Sequence, residues 1–167
     1  MGVTTSAGEN AGFVIGDTGV CLNNKLGEAD LHPQGFHRWP PGTRLHTMMT
    51  PAVVVKDGQP VLAVGSGGSN RIRSAILQVL SNVIDFDLPL DRAVNLDRIH
   101  FERGVLQAEG GIDESVIANL RDWGYTVNHW PGKNMFFGGA HAVGLQRGEL
   151  TPAGDGRRGG STALVSA

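Results

Sequence analysis

A chain of 167 residues, 40% hydrophobic and 18% charged with a formal net charge of -2, is long enough to bury a core of its own, so one domain over 1–167 is expected. That charge balance argues against a nucleic-acid surface, and no apolar run reaches the length of a membrane span. A single cysteine, Cys21, excludes an intramolecular disulfide framework and a cysteine zinc cluster, and its apolar neighbours suggest a small buried side chain.

In chain order, "MGVTTS" matches the N-myristoylation pattern, which recurs by chance, so an ordinary initiator methionine is the simpler reading. "GFVIGDTGVCLNN" predicts two short β segments broken by turn chemistry at Gly16 to Gly19. "LHPQGFHRWPPGTRL", with three prolines and two glycines, reads as a loop. "TPAVVVKDGQPVLAVGS" is a hairpin around Lys56 to Gln59, apolar enough for its strands to be covered on both faces. From Asn70 the period becomes helical, with Ile72, Ile76, Leu77, Leu80, Val83 and Ile84 on one stripe. "LPLDRAVNLDRI" reads as a shorter helix with proline in its first turn. A strand at "GVLQAEGG", a helix from Asp113 to Trp123 with an acidic start, and a strand at "YTVNHW" follow. "AHAVGLQRGELTPAGD" predicts a strand, a polar turn and a strand, and 156–167 is expected to be a loose tail. Hairpins separated by helices point to an α+β class with an antiparallel or mixed sheet.

The chemistry-bearing stretch is "GSGGSNRIRSAILQV", a glycine turn running into the first long helix. A Walker loop needs lysine followed by Ser or Thr at its end, where this chain has Asn70 and Arg71. The spaced glycines of a dinucleotide fingerprint are absent too, and the turn follows a hairpin. Two readings remain open on these residues. The backbone N–H groups at the helix start can hold an anion or oxyanion, or Gly67, Gly68 and Ser69 simply turn the chain and cap the helix.

"GDTGVCLNNKLGEADL", "RLHTMMTPAVVVKDGQPVL", "GSGGSNRIRSAILQVLSNVIDF", "DRIHFERGVLQAEGG" and "GDGRRGG" resemble, in the same order, segments of the small subunit of γ-glutamyltransferases. The resemblance covers nearly the whole chain and implies an N-terminal-nucleophile hydrolase fold, an αββα sandwich. It implies an activity as well: a precursor cleaves itself to expose a threonine, whose hydroxyl attacks a γ-glutamyl amide such as glutathione and passes the acyl group to water or an amine.

Carried over residue by residue, Gly68 and Ser69 stand at the oxyanion donors, where the family usually has two glycines. Thr47 and Met48 stand at a Ser-Ser pair that helps hold the substrate α-carboxylate; Met48 has no hydroxyl to offer. Glu28 matches an acid that binds the substrate α-amino group, and Lys25 replaces a usual Gln or Glu. Thr4 resembles a threonine that supports the nucleophile, and Ser6 a position often Asn. No segment matches the nucleophile strand, so the sandwich is expected to be partial and the chain inactive alone. The resemblance implies a large subunit or the rest of a precursor as partner, with self-association another way to cover exposed apolar surface. It implies no cofactor and no metal. A truncated, non-catalytic α+β module acting as an interaction unit is the alternative.

The remaining candidates carry weaker signals. His32, His37, His46, His100, His129 and His141 show no close metal-ligand spacing. Arg71 reads as a solvated or salt-bridged arginine, with a substrate carboxylate as the other option. Trp39 reads as a pin for its loop or as one wall of a pocket. Asp155, Arg157 and Arg158 resemble the family's closing motif or belong to a polar tail. The compartment is left open.

Overall fold

The structure, a computed structural model, describes residues 10–146 and 148–165. Its centre is a four-stranded antiparallel sheet, in the order β3, β4, β8, β9, formed by Ala52–Lys56, Gln59–Gly67, Gly139–Gln146 and Glu149–Gly154. The β3 and β4 strands form the expected hairpin, with Asp57 and Gly58 both at positive φ in its two-residue turn. Two helices cover one face of this sheet, α1 (Ile72–Ile84) and α2 (Leu90–Asn95). Leu62 and Val64 of β4, Ala140 and Ala142 of β8 and Ala153 of β9 meet Ile72, Ile76 and Val79 of α1 and Leu90 and Val94 of α2 in one apolar core. Small residues on β8 and β9 let the helices approach the sheet closely.

The opposite face is bare. Val53 pairs through Ala63 with Val143, and Val53, Val143 and Leu150 are exposed by 51%, 41% and 55%. Sequence reading expected both faces of the hairpin to be covered; within the described residues only the α1/α2 face is, because no second layer packs on the other.

A second layer element joins β5 (Ile99–Glu102), β6 (Val105–Ala108) and β7 (Thr126–His129), with β5 and β6 antiparallel and β6 and β7 parallel. Helix α3 (Glu114–Asp122) makes the crossover, capped by Asp113, whose side chain accepts from Ser115 N at 2.7 Å. Leu106, Ala108 and Ile117 form the apolar centre of this unit. The N-terminal β1 (Asn10–Val14) and β2 (Cys21–Asn23) form a two-stranded antiparallel ribbon. Cys21 is half-buried, short of the burial its neighbours suggested, because the ribbon around it leaves Val20 and Leu22 exposed.

Two further expectations change. The helix read through "LDRI" ends at Asn95, since Leu96 is extended, and Ile99–Glu102 is a strand. The stretch read as a loose tail begins with a 3-10 turn at Gly156–Arg158, and the Arg157 side chain is fully buried. Its guanidinium donates from Nε to Glu109 Oε1 at 2.8 Å and pairs with Asp155 Oδ1 at 3.2 Å, while Asp155 Oδ2 meets Arg98 at 2.8 Å. Four buried charges compensate one another, and this ties the C-terminal segment into the interior. Burial opposes ionisation of Asp155, yet Arg98 and the N–H groups of Arg157 and Ala140 hold its carboxyl below the ordinary value.

Candidate functional site

The glycine turn sits where β4 leaves the sheet and α1 begins. Ser66, buried at the end of the strand, accepts from Gly139 N at 3.3 Å and donates to Gly67 O at 3.0 Å, so its hydroxyl closes the sheet end. Gly68 then takes φ +131, and a methyl group built there would lie 2.8 Å from Gly138 Cα. Only glycine satisfies both the conformation and the contact. Ser69 follows at φ +50, in the left-handed region that costs an L-residue with a side chain about 1 kcal/mol. Its hydroxyl donates to Asp30 Oδ2 at 2.7 Å, which helps fix this strained residue. Among the described residues no acceptor takes the N–H of Gly68 or of Ser69. Among the described residues, two successive backbone donors are thus left without an acceptor at the head of the 3-10 turn that leads into the 13-residue helix α1.

The neighbouring wall comes from the 3-10 turns Lys25–Gly27 and Ala29–Leu31 and from the irregular segment before β3. Lys25 Nζ lies 2.9 Å from Glu28 Oε2 and 3.5 Å from Met48 Sδ, and both partners of the ion pair are largely buried. Lys25, Glu28 and Met48 are thus brought together, and Asp30, two residues beyond Glu28, joins them to the turn. Thr47 is exposed and its Oγ1 accepts from Met49 N at 3.3 Å in a local turn, with no hydrogen bond to Lys25 or Glu28 among the described residues. Thr4 and Ser6 lie outside the described residues.

Two residues at the site, Asp30 and Ser66, carried no signal of their own in the sequence. Arg158, read there as part of a closing motif or a polar tail, has its guanidinium beside Gly67 and Gly68 and donates to Met135 O at 3.0 Å. Burial and the neighbouring Arg71 both lower the pKa of Arg158. Arg71 itself is half-buried and has no ion pair among the described residues. It donates to Phe136 O at 3.0 Å and lies 4.6 Å over the Phe136 ring. Trp39 stands between the rings of His32 and His46 and lines a cavity of about 160 Å³ with His32, Gln34 and Arg38.

The family model described as gamma-glutamyltranspeptidase matches residues 2–165. The chain belongs to the gamma-glutamyltranspeptidase family. Among its relatives is the acylase ACY 1 proenzyme of Pseudomonas sp. strain V22, 35% identical over 150 residues, which span 89% of this chain and 26% of that protein. The glutathione hydrolase proenzyme of Pseudomonas aeruginosa is 31% identical over 170 residues, 93% of this chain and 30% of its own length. This chain therefore spans only about a quarter to a third of these relatives, both of them proenzymes.

A highly active mutant of gamma-glutamyltranspeptidase from Pseudomonas nitroreducens superposes with a TM-score of 0.74 at 29% identity, covering 99% of this chain and 91% of that one. An acivicin-inhibited gamma-glutamyltranspeptidase gives 0.74 at 27%, covering 95% and 92%. The fold is accordingly of the N-terminal-nucleophile hydrolase type, as the resemblance implied.

Proposed function

We propose that this chain forms the oxyanion side of a γ-glutamyl transferring or hydrolysing site, in the manner of a gamma-glutamyltranspeptidase small subunit. The observation that carries the reading is the pair of N–H groups on Gly68 and Ser69, consecutive at the head of the 3-10 turn into α1, for which the described residues supply no acceptor. An anionic tetrahedral oxygen placed before them gains two donors and the positive end of a helix, and removing one such donor typically costs about 3 kcal/mol of transition-state stabilisation.

The attacking threonine is supplied from outside these 167 residues, with Thr4 and Ser6 supporting it and Glu28, Lys25, Thr47 and Met48 forming the wall that meets the acyl donor. Water or an amine takes the acyl group. The bare face of the four-stranded sheet is the seat of the missing layer, contributed by the rest of a precursor or large subunit; its exposed valines give that docking an apolar driving force.

The test is release of chromophore from a γ-glutamyl anilide. Turnover is expected when the chain is joined to a threonine-bearing precursor region, and none from the chain alone. Turnover by the isolated chain that Thr4→Ala abolishes would overturn the assignment of the nucleophile. A second reading, a non-catalytic interaction module, is favoured by the Lys25 ammonium lying on Glu28, since that ion pair occupies the carboxylate a substrate ammonium would use. That reading predicts no turnover in the joined protein either.

A further inference from the structure

Helix α1 docks on β5 through a polar stripe that the apolar pattern of the helix does not explain. Positions 70, 74 and 78 are four residues apart and share one face, counting the 3-10 turn that leads into the helix. Asn70 Nδ2 donates to Glu102 Oε1 at 2.7 Å, and Ser74 Oγ lies 2.7 Å from His100 Nδ1. The Gln78 amide exchanges two hydrogen bonds with the backbone of Ile99, at 2.8 and 3.0 Å. On the strand, Glu102 and His100 are alternate residues on one face, with Glu102 Oε2 and His100 Nε2 3.4 Å apart. A continuous chain thus runs from Ser74 through His100 and Glu102 to Asn70.

Ser74, His100 and Glu102 have the composition of a hydrolase triad, but the place is wrong for one. Ser74 lies in the first turn of α1, half-buried in the seam with β5, where its hydroxyl and His100 face each other. The direction of the chain points elsewhere. Its last member, Asn70, directly follows Gly68 and Ser69, the two positive-φ residues of the glycine turn. The turn is held by Asp30 on one side and by the Arg71 bond to Phe136 O on another. Glu102 supplies the remaining anchor.

We propose that Glu102 is a positioning residue for the glycine turn, holding the Gly68 and Ser69 N–H groups in place through Asn70, and that His100 governs how firmly it does so. The catalytic meaning of this anchor rests on the function proposed above; the anchor itself does not. His100 is buried and flanked by Ser74, Glu102, Arg71, Arg73 and the Phe136 ring. Burial first, with the two arginines adding to it, lowers its pKa against the opposing pull of Glu102. The neutral ring accepts from Ser74 at Nδ1 and donates to Glu102 from Nε2, a tautomer assigned from its partners. Protonation strengthens the claim of His100 on the Glu102 carboxylate, at the expense of Asn70, and forces the Ser74 hydroxyl to turn. The turn therefore loosens only as pH falls through the folded-state value of His100, which burial holds below that of a free imidazole.

Hydrogen exchange of the 167-residue chain, read as protection factors peptide by peptide, tests this without any catalytic assay. Glu102→Ala is expected to lower protection over residues 66–71 by about tenfold or more, the loss of a bond to a charged group, while α3 and β7 keep theirs. Glu102→Gln retains an oxygen for Asn70 and is expected to stay within about threefold of wild type at pH 7, with a weaker response to acid. Should Glu102→Ala fail to fold, Asn70→Ala removes the same bond from the half-exposed side and carries the same expectation. The proposal is overturned if the turn keeps its protection in both alanine variants, if protection falls equally everywhere, or if Glu102→Gln behaves like Glu102→Ala. A joined protein that turns nothing over while the exchange results hold would sink the functional reading alone.

Discussion

At Ser69 the backbone asks for glycine while the side chain offers a hydrogen bond. The left-handed φ costs about 1 kcal/mol, and the Oγ bond to Asp30 returns a comparable amount. Ser69→Gly gives up the bond and the strain together, so its stability is expected within about 1 kcal/mol of wild type in urea unfolding. Ser69→Ala gives up the bond and keeps the strain, and is expected to be the less stable of the two by about 1 kcal/mol. At Lys25 the argument is electrostatic. Lys25→Gln frees Glu28 for a substrate ammonium, so the joined enzyme is expected to show a KM for a γ-glutamyl anilide lowered by about tenfold, with kcat little changed. A glycine run at a helix start and family-like blocks are local signals, so the sequence singles out Gly68, Ser69, Lys25, Glu28 and Met48, and the fold brings the last three together. Asp30 and Glu102 are not singled out. Each meets the turn across more than thirty residues of chain, and no local pattern encodes which distant carboxylate a hydroxyl or an amide will find.

Among the elements, the hairpin, the long helix and the α3 crossover follow from period and turn chemistry, and the sequence places them within a few residues of where they fold. The segment "LDRI" misled because leucine, aspartate and arginine continue a helical composition past Asn95. At the end of α2, Asn95 Nδ2 donates back to Asp91 O at 3.0 Å and across to Gly154 O at 3.3 Å, and just beyond it Arg98 is paired with buried Asp155. The four-stranded sheet carries its own consequence. Its helix-covered face is sealed, and its other face presents Val53, Val143 and Leu150 to solvent. Val143→Lys is therefore expected to leave the melting temperature of the isolated chain within a few degrees while reducing self-association in sedimentation and blocking assembly with a precursor region. An unchanged association in both assays would remove this face from consideration as the docking surface.

For the molecule as a whole, the buried charges matter more than their number suggests. Asp155→Ala strands the Arg98 guanidinium and deprives Ala140 N of its acceptor at 2.8 Å, for an expected loss of about 3–5 kcal/mol in denaturant unfolding. Asp155 is held below its ordinary pKa, so its contribution is complete at neutral pH and is lost as pH falls from about 3.9 through the folded value. The sequence showed this region as a polar ending because Gly-Arg-Arg-Gly-Gly has the composition of one; the partner that buries Arg157, Glu109, lies 48 residues away. The two apolar cores, one under the four-stranded sheet and one around Ile117, have no buried residue in common. Arg98, Glu109, Asp155 and Arg157 stand at their junction, with Glu109 following β6 and Asp155 following β9. The cooperativity of unfolding is thereby shared between these ion pairs and the α1–β5 hydrogen bonds: with both cut, the chain is expected to melt as two units, the β5–β7 layer first.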